Sequence, residues 1–493
     1  MPTATPLLSY RSGRGRWVLA ATVGGSAIAS IDATVVGIAL PAIGRDLGAG
    51  LATLQWVVTA YTMTLAGLLL VAGALGDRYG RRRVFTIGVV WFAVASVLCS
   101  VAANPSTLIG ARALQGVGAA LLTPGSLAIL EATFVSVDRA KAIGAWSGLT
   151  GVASAVGPFL GGWLVQAASW RLIFAINLPI AVAVVIIARR HIPESRDPGA
   201  AGRVDVAGGT LVTLGLVGLS YGLIEGSVIG WSSLPVLAAL VLGGVLLIGF
   251  VGWEQHTQAP ILPLRLFTST QFTATNLVTF AVYGALGGAL FLLPIQLQKV
   301  SGYSPLQAGI SLLPVTAIML LLSARSGAVA TRIGPRLPMS LGPVLVGIGF
   351  ALFTRIDASG MYITQVLPAV TVLGLGLAVT VAPLTATVLA AVPARHAGVA
   401  SAVNNDVARA AGLIAVAVLP AAAGITNSSY LHPAQFASGF HTAAVICAGL
   451  CVIAGVLAAV SIRNGAPVTP GNVPAHLTHG RLDAPPSRTL RQM

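Results

Sequence analysis

Long apolar runs, separated by short polar segments, fill most of the chain. A helix needs about 20 apolar residues to cross a hydrocarbon core of ~30 Å. Fourteen runs of about this length follow one another between residues 17 and 462. Because backbone groups in lipid must be hydrogen-bonded inside the protein, such runs form helices. The pattern predicts an all-α polytopic membrane protein with 14 transmembrane helices.

The runs fall into groups of six, two and six. A segment rich in proline, glycine and charge, HIPESRDPGAAGR, separates the first two groups. The predicted parts are a cytoplasmic N-terminus (1–16), an N-terminal six-helix bundle (17–189), a cytoplasmic linker (190–205), two additional helices (206–253), a cytoplasmic connection (254–271), a C-terminal six-helix bundle (272–462) and a polar cytoplasmic tail expected to be disordered (463–493).

Composition excludes a water-soluble globular protein. Hydrophobic residues make up 56% of the 493 positions and charged residues only 8%, and the mean hydropathy is +0.88. Such a chain has too little polar surface to cover itself in water. The net charge of +15 does not indicate nucleic-acid binding, because basic residues lie in short clusters between apolar runs. Three cysteines in apolar runs show neither metal-ligand spacing nor a disulfide framework.

The basic residues alternate between the two sides of the membrane. With the N-terminus inside, 22 of the 28 fall on the same side as the N-terminus, and two lie within predicted spans. The four on the opposite side are Arg45, Arg171, Lys299 and Arg355. By the positive-inside rule, both termini are cytoplasmic. The large excess of arginine over lysine, with abundant alanine, glycine and valine, suggests a GC-rich bacterial genome, so we expect a multi-pass protein of a bacterial cytoplasmic membrane.

One charged loop occurs twice. The stretch GALGDRYGRR begins at Gly73, and GAVATRIGPR repeats its spacing from Gly327, 254 residues later. Both copies lie on the predicted cytoplasmic side. The two six-helix bundles are therefore predicted to be parallel repeats about an axis along the membrane normal. The second copy has Thr331 where the first has Asp77.

Five segments resemble, in chain order, the signatures of one transporter family. They are IDATVVGIALP (31–41), GALGDRYGRRRVF (73–85), LIGARALQG (108–116), ASAVGPFLGG (153–162) and WRLIFAINLP (170–179). The family is the major facilitator superfamily, and within it the branch of 14-helix drug:proton antiporters. Each match alone is weak, but five in order at the right helices are specific.

The resemblance implies a proton-coupled secondary transporter that exports small, largely apolar drugs or antibiotics. Its partners would be a small-molecule substrate, protons and the lipid bilayer. We expect no nucleic-acid partner and no cofactor, since the proton gradient is the driving force, and we expect a monomer. A carrier for a nutrient or lipid precursor on the same fold stays open, since fold does not fix function. A membrane enzyme is the more distant alternative, because the sequence shows no nucleophile with its base, no metal cluster and no phosphate loop.

The charged loop has two predicted roles. Its arginines orient the chain in the membrane. The resemblance implies that the loop, through Asp77, Arg78, Gly80 and Arg82, also forms a conformational latch. The acid would act on the positive N-terminus of the thirteenth helix, near Ala397, when the outside gate is open. The alternative is that the loop is a topology signal alone.

Ionisable groups inside the membrane are costly and mark functional candidates. Asp32 has no basic neighbour in its own helix, so we expect it to gain and lose the coupling proton; the alternative is an acid that hydrogen-bonds Thr34 or a neighbouring helix. Arg112 matches a family residue linked to proton transfer, with hydrogen bonding to helix ends as the alternative. Asp406 and Arg409 are spaced to neutralise each other on one helix.

Two further sets of residues are candidates. Gly157, Pro158, Gly161 and Gly162 match the family's antiporter motif and predict either close helix packing or, by resemblance, a pivot that favours export. Polar positions that would line a substrate cavity, or hydrogen-bond between helices instead, are Tyr61, Thr62, Gln115, Asn276, Gln296 and Gln298.

Overall fold

The computed structural model describes residues 7–196, 205–257, 260–393 and 396–464. Within these ranges, fourteen helices are long and apolar enough to cross a membrane, which confirms the predicted fold class. The predicted disordered tail lies outside the described residues from position 465 onward. The helices are α1 (Gly13–Asp46), α2 (Leu51–Tyr79), α3 (Arg81–Ser100), α4 (Pro105–Thr133), α5 (Ser136–Ala167), α6 (Leu172–His191), α7 (Val206–Ile229), α8 (Leu234–His256), α9 (Thr270–Val300), α10 (Pro305–Ile333), α11 (Arg336–Arg355), α12 (Tyr362–Ala390), α13 (Ala397–Ala422) and α14 (Pro433–Ser461).

Local sequence signals fix several helix starts. Asn104 caps α4 by accepting from the backbone N–H of Thr107, and Pro105 occupies the first helical position. Ser304 caps α10 in the same way, with Gln307 as the reciprocal partner. These caps satisfy backbone donors that a helix start leaves unpaired.

The two copies of the charged loop adopt matching turns. Gly80 joins α2 to α3 with φ +113°, and Gly334 joins α10 to α11 with φ +85°, a region that disfavours side chains with a β-carbon. In each copy, a polar side chain from the end of the same bundle accepts a hydrogen bond from the backbone. Glu194 accepts from Arg82 N at 3.1 Å, and Asn464 accepts from Arg336 N at 3.1 Å. The two loops thus share both the turn geometry and a hydrogen bond that stabilises the turn.

Glycines bring equivalent helices of the two bundles into close contact. A β-carbon on Gly118 of α4 would lie 2.7 Å from the backbone N of Phe92 in α3. In the second bundle, a β-carbon on Gly349 of α11 would lie 2.7 Å from the backbone N of Leu373 in α12. Helices α1–α6 and α9–α14 therefore form two bundles with the same internal packing.

The two additional helices, α7 and α8, pack tightly on each other where Gly218 meets Gly243. Helix α7 also contacts α2, where Thr213 lies against Gly67. On its other side it contacts α13 of the second bundle. The additional pair therefore lies along one of the seams between the two bundles.

In the described part of the chain, the hydrogen bonds that join the two bundles lie at one end. We call the end with the Gly80 turn the Gly80 end, and the end with Asp46 the Asp46 end. At the Asp46 end, Gln298 donates to Ile38 O at 2.9 Å and Gln55 donates to Val416 O at 2.7 Å. Toward the Gly80 end, the face of α5 carrying Gly148 looks into open space. The contacts between the bundles at the Asp46 end thus contrast with the open surface around Gly148, nearer the Gly80 end.

Candidate functional site

A buried ion pair lies inside the N-terminal bundle. Asp32 of α1 and Arg112 of α4 have side chains only 0% and 2% exposed. The guanidinium Nη1 of Arg112 donates to Oδ2 of Asp32 at 2.5 Å. Buried charges are rare unless they are paired in this way.

Two amides complete the surroundings of the Asp32 carboxylate. Gln115 of α4 donates from Nε2 to Oδ1 at 2.8 Å, and Asn177 of α6 donates from Nδ2 to the same oxygen at 3.2 Å. All three partners are therefore donors, and an ionised carboxylate is the form that accepts from all of them.

Arg112 also forms hydrogen bonds and aromatic contacts beyond its ion pair with Asp32. Its Nε donates to the backbone oxygen of Val57, inside α2, at 3.1 Å, and Nη1 also reaches Oε1 of Gln115 at 2.6 Å. The guanidinium lies 4.3 Å from the ring centre of Tyr61 and 5.6 Å from that of Phe174. Cation–π contacts of this kind stabilise a buried guanidinium without neutralising it.

Sequence reasoning missed two members of the cluster. Ser96 of α3 accepts from Gln115 at 2.8 Å and from Asn177 at 3.3 Å. Both Ser96 and Asn177 are buried polar residues inside apolar runs, which was the available signal. Helices α1, α2, α3, α4 and α6 thus converge on one polar network.

The basic partner of Asp32 comes from a neighbouring helix, which was one of the alternatives for this acid. Asp32 has no basic neighbour in its own helix, but Arg112 reaches it from another helix. Thr34 does not bond to Asp32, because its hydroxyl donates to backbone oxygens, including Ser154 O at 3.1 Å. Arg112 in turn bonds within α2 rather than to a helix end.

The C-terminal bundle has a different polar arrangement. Asn404 of α13 donates to Asn276 at 3.0 Å and to Thr279 at 2.7 Å, both in α9. The spacing of Asp406 and Arg409 predicts a mutual ion pair, yet the described residues contain none. Backbone geometry places the two side chains on one face, but the buried Asp406 carboxylate meets no donor.

Most of the predicted cavity positions hydrogen-bond between or along helices in this conformation. Gln296 is fully buried and donates to Ile356 O at 3.2 Å, and Thr62 donates to Val58 O. Tyr61 and Gln115 belong to the Asp32 network, while Asn276 pairs with Asn404. Hydrogen bonding was the alternative to cavity lining for each of these positions.

The charged loop is ordered by contacts within its own bundle. Asp77 accepts from Nε of Arg81 at 2.8 Å, and in the described residues it contacts no group of α13. Arg82 donates to Ile192 O at 3.1 Å and lies 3.6 Å from Glu194. Arg78 stacks over the ring of Tyr79. The predicted latch is therefore not engaged in this conformation.

The glycines of α5 divide into two groups. Gly157 and Gly161 lie against Thr34 and Val35 of α1, and Gly162 lies against the backbone of Pro305. The carbonyl of Pro158 lies against Gly309 of α10. The antiporter motif therefore packs α5 against both bundles at the Asp46 end.

The sequence is similar to members of one protein family over most of its length. The model of the Major Facilitator Superfamily matches residues 22–417. The tetracenomycin C resistance and export protein of Streptomyces glaucescens is 36% identical over 417 residues, which cover 84% of this chain and 77% of that protein. The methylenomycin A resistance protein of Bacillus subtilis (strain 168) is 36% identical over 410 residues, which cover 83% and 87%.

The fold is also shared with a solved transporter. A bacterial homologue of the human lysosomal transporter Spinster, in an inward-facing and unoccupied conformation, aligns with a TM-score of 0.65 at 17% identity. The alignment covers 92% of this chain and 97% of that one. The family match, the relatives and the five motifs agree: the chain belongs to the Major Facilitator Superfamily and is a membrane transporter, not an enzyme.

Proposed function

We propose that this protein is a proton-coupled exporter of small, largely apolar drugs or antibiotics, working by alternating access in a bacterial cytoplasmic membrane. The observation that carries the coupling is the buried pair of Asp32 and Arg112. The names of two relatives, which concern tetracenomycin C and methylenomycin A, support antibiotics as the class of compound.

The geometry supports competition between a proton and Arg112 for Asp32. A proton on Asp32 neutralises the carboxylate and removes its Coulomb attraction to the guanidinium. Arg112 then keeps its bonds to Val57 O and Gln115, and its place over Tyr61. Protonation of Asp32 thereby leaves Arg112 as a buried cation without its counter-charge. Because an unpaired buried charge is unfavourable, it favours a rearrangement of the N-terminal bundle.

The conformation fits one step of an export cycle. Hydrogen bonds join the bundles at the Asp46 end, and α5 has an open face toward the Gly80 end. Both observations support a conformation that is open at the Gly80 end, the side that the charge pattern predicts to be cytoplasmic. With Asp32 ionised and paired, the protein has released its proton to the cytoplasm and can accept substrate there. Opening of the Asp46 end would then release substrate outside and let a proton reach Asp32.

A resistance profile tests the proposed function. The protein is expressed in a drug-sensitive strain and challenged with a panel that includes tetracenomycin C and methylenomycin A. We expect lower accumulation of at least one compound, and loss of that protection when a protonophore collapses the proton gradient. Protection that persists with the protonophore would contradict proton coupling. Increased accumulation of a compound would instead indicate an importer on the same fold.

Asp32→Asn tests the coupling residue directly. The variant mimics the protonated form, so in proteoliposomes we expect substrate exchange to continue and proton-driven uphill export to be lost. Asp46→Asn is the matched control, because Asp46 also pairs with an arginine, Arg171, but is 46% exposed and lies at the Asp46 end. Wild-type uphill export by Asp32→Asn would move the coupling role to other residues.

A further inference from the structure

A second carboxyl in the membrane, Asp406 of α13, is left without a partner. Both carboxyl oxygens are buried and accept no hydrogen bond from any group in the described part of the chain. Asp32, by contrast, accepts from three side chains. Each bundle therefore contains one intramembrane acid: Asp32 is hydrogen-bonded by donors, and Asp406 is buried without a donor.

The helices packed against α13 supply no group that neutralises Asp406. They are α2, α7, α9, α12 and α14, and the one ionisable residue of α12 is Tyr362, at its Asp46 end. Glu225 of α7 accepts from Trp56, and His441 of α14 contacts Ile356 O. The remaining charged residues lie at helix ends: Asp77 and Arg78 at the Gly80 end of α2, and Lys299 at the Asp46 end of α9. The other titratable groups on these helices are Tyr61, Tyr79, Tyr221, Tyr283, Cys447 and Cys451.

Among the described residues, the charged neighbour of Asp406 on its own helix is Arg409, one turn along α13. The described residues contain no ion pair between Arg409 and Asp406. A buried carboxylate without hydrogen bonds is unfavourable, whereas the protonated acid is neutral.

We propose that Asp406 is a second proton-carrying carboxyl, which holds its proton in this conformation. It lies nine residues after Ala397, about 14 Å along α13 from the Gly80 end. When the O–H bond breaks, the proton passes to water at the Gly80 end and the electron pair stays on the carboxylate. Arg409 then pairs with the Asp406 carboxylate, so that each bundle contains one acid and one arginine that pair when the acid is ionised. This inference deepens the proposed function and rests on it for its role in transport.

Proton counting tests the protonation state without any substrate. Purified protein in weakly buffered neutral detergent solution is unfolded with sodium dodecyl sulfate, and the released protons are measured. We expect the wild type to release one proton per molecule more than Asp406→Asn. Asp357→Asn is the control, because Asp357 lies in an exposed loop and accepts from Ser359, so it should release the wild-type number. Equal release from the wild type and Asp406→Asn would overturn the proposal.

A second measurement uses the wild-type protein and does not depend on how the variant folds. Dicyclohexylcarbodiimide is apolar and reacts with protonated carboxyls. At neutral pH we expect mass spectrometry to find it on Asp406 and not on the ionised Asp32. Labelling of Asp32 with Asp406 spared would reverse the assignment.

Transport then separates this inference from the proposed function. With tetracenomycin C as the probe in proteoliposomes, Asp406→Asn should move one proton fewer per exported molecule. The ratio is obtained from the proton gradient at which net transport of the compound stops. An unchanged ratio would remove Asp406 from coupling. If Asp32→Asn exports at the wild-type rate while the carbodiimide still finds Asp406, the proposed role of Asp32 fails and the protonation of Asp406 stands.

Discussion

Gly162 of α5 lies directly against the backbone at the start of α10, so that a β-carbon on it would be 2.8 Å from Cα of Leu306. This contact joins the two bundles at the Asp46 end, and only glycine fits there. Gly162→Val should therefore disfavour the conformation described here. Overpacking of this kind costs about 1–3 kcal/mol, which shifts a two-state balance from about fivefold to more than about a hundredfold.

Spin labels at Val137 and Ile333, which lie in different bundles at the Gly80 end, report this shift. We expect the distance between them to shorten in Gly162→Val as the Gly80 end closes. Gly148→Val is the matched control, because a β-carbon there meets open space, and its distance distribution should match the wild type. An unchanged distribution in Gly162→Val would show that the contact does not set the conformation.

The buried ion pair should couple Asp32 and Arg112 energetically. Removal of either partner leaves the other without its counter-charge, whereas the double variant Asp32→Asn, Arg112→Gln removes both charges. We expect a coupling energy of about 2–3 kcal/mol in a double-mutant cycle, measured by thermal unfolding in detergent.

An exposed ion pair of nearly equal length provides the control for this cycle. Asp46 and Arg171 are 2.6 Å apart but 46% and 36% exposed. Solvent screening limits such pairs to about 1 kcal/mol or less. Equal coupling in the two cycles would show that burial does not strengthen the Asp32 pair.

The number of helices and the presence of two bundles follow from the sequence, because both depend on local properties. Runs of about 20 apolar residues predict spans, and the repeated loop predicts matching turns at Gly80 and Gly334. The five motifs identify the family because each places particular residues on a particular helix. None of these inferences depends on which side chains meet in space.

The chemistry of the site required the structure, because its contacts join residues far apart in the chain. Arg112 reaches Asp32 across 80 positions, and no spacing rule within one helix reveals such a pair. The spacing of Asp406 and Arg409 suggested a local pair that does not form. In α5, identical residues have different roles, since Gly148 faces open space while Gly162 touches the other bundle.

The predicted orientation has a direct chemical test. In a variant with Cys99, Cys447 and Cys451 replaced by alanine, single cysteines are placed at Val137 and Leu431, which are 89% and 70% exposed. Val137 lies at the Gly80 end and Leu431 at the Asp46 end. A membrane-impermeant maleimide on intact cells should label position 431, and should label position 137 only after permeabilisation. The reverse pattern would contradict the topology.

Asp77 is expected to change partners during transport. In this conformation it accepts from Arg81; when the Asp46 end opens, we expect it to meet the N-terminus of α13. A charge at a helix N-terminus contributes up to about 1 kcal/mol, whereas the i,i+4 pair with Arg81 that the variant also loses contributes about 0.3–0.5 kcal/mol. Asp77→Asn should therefore shift the balance by up to about threefold toward the conformation described here. Transport should slow while expression stays near normal.

Arg81→Gln should shift the balance the other way, because it removes the partner that holds Asp77 in this conformation. Thr331→Ala in the second loop copy is the control and should change nothing, since Thr331 is exposed and bonds only to Ala328 O in its own helix. The distance between labels at Val137 and Ile333 measures all three variants. Opposite shifts for Asp77→Asn and Arg81→Gln identify a latch, because a loop that only orients the chain affects insertion and leaves the equilibrium between conformers unchanged.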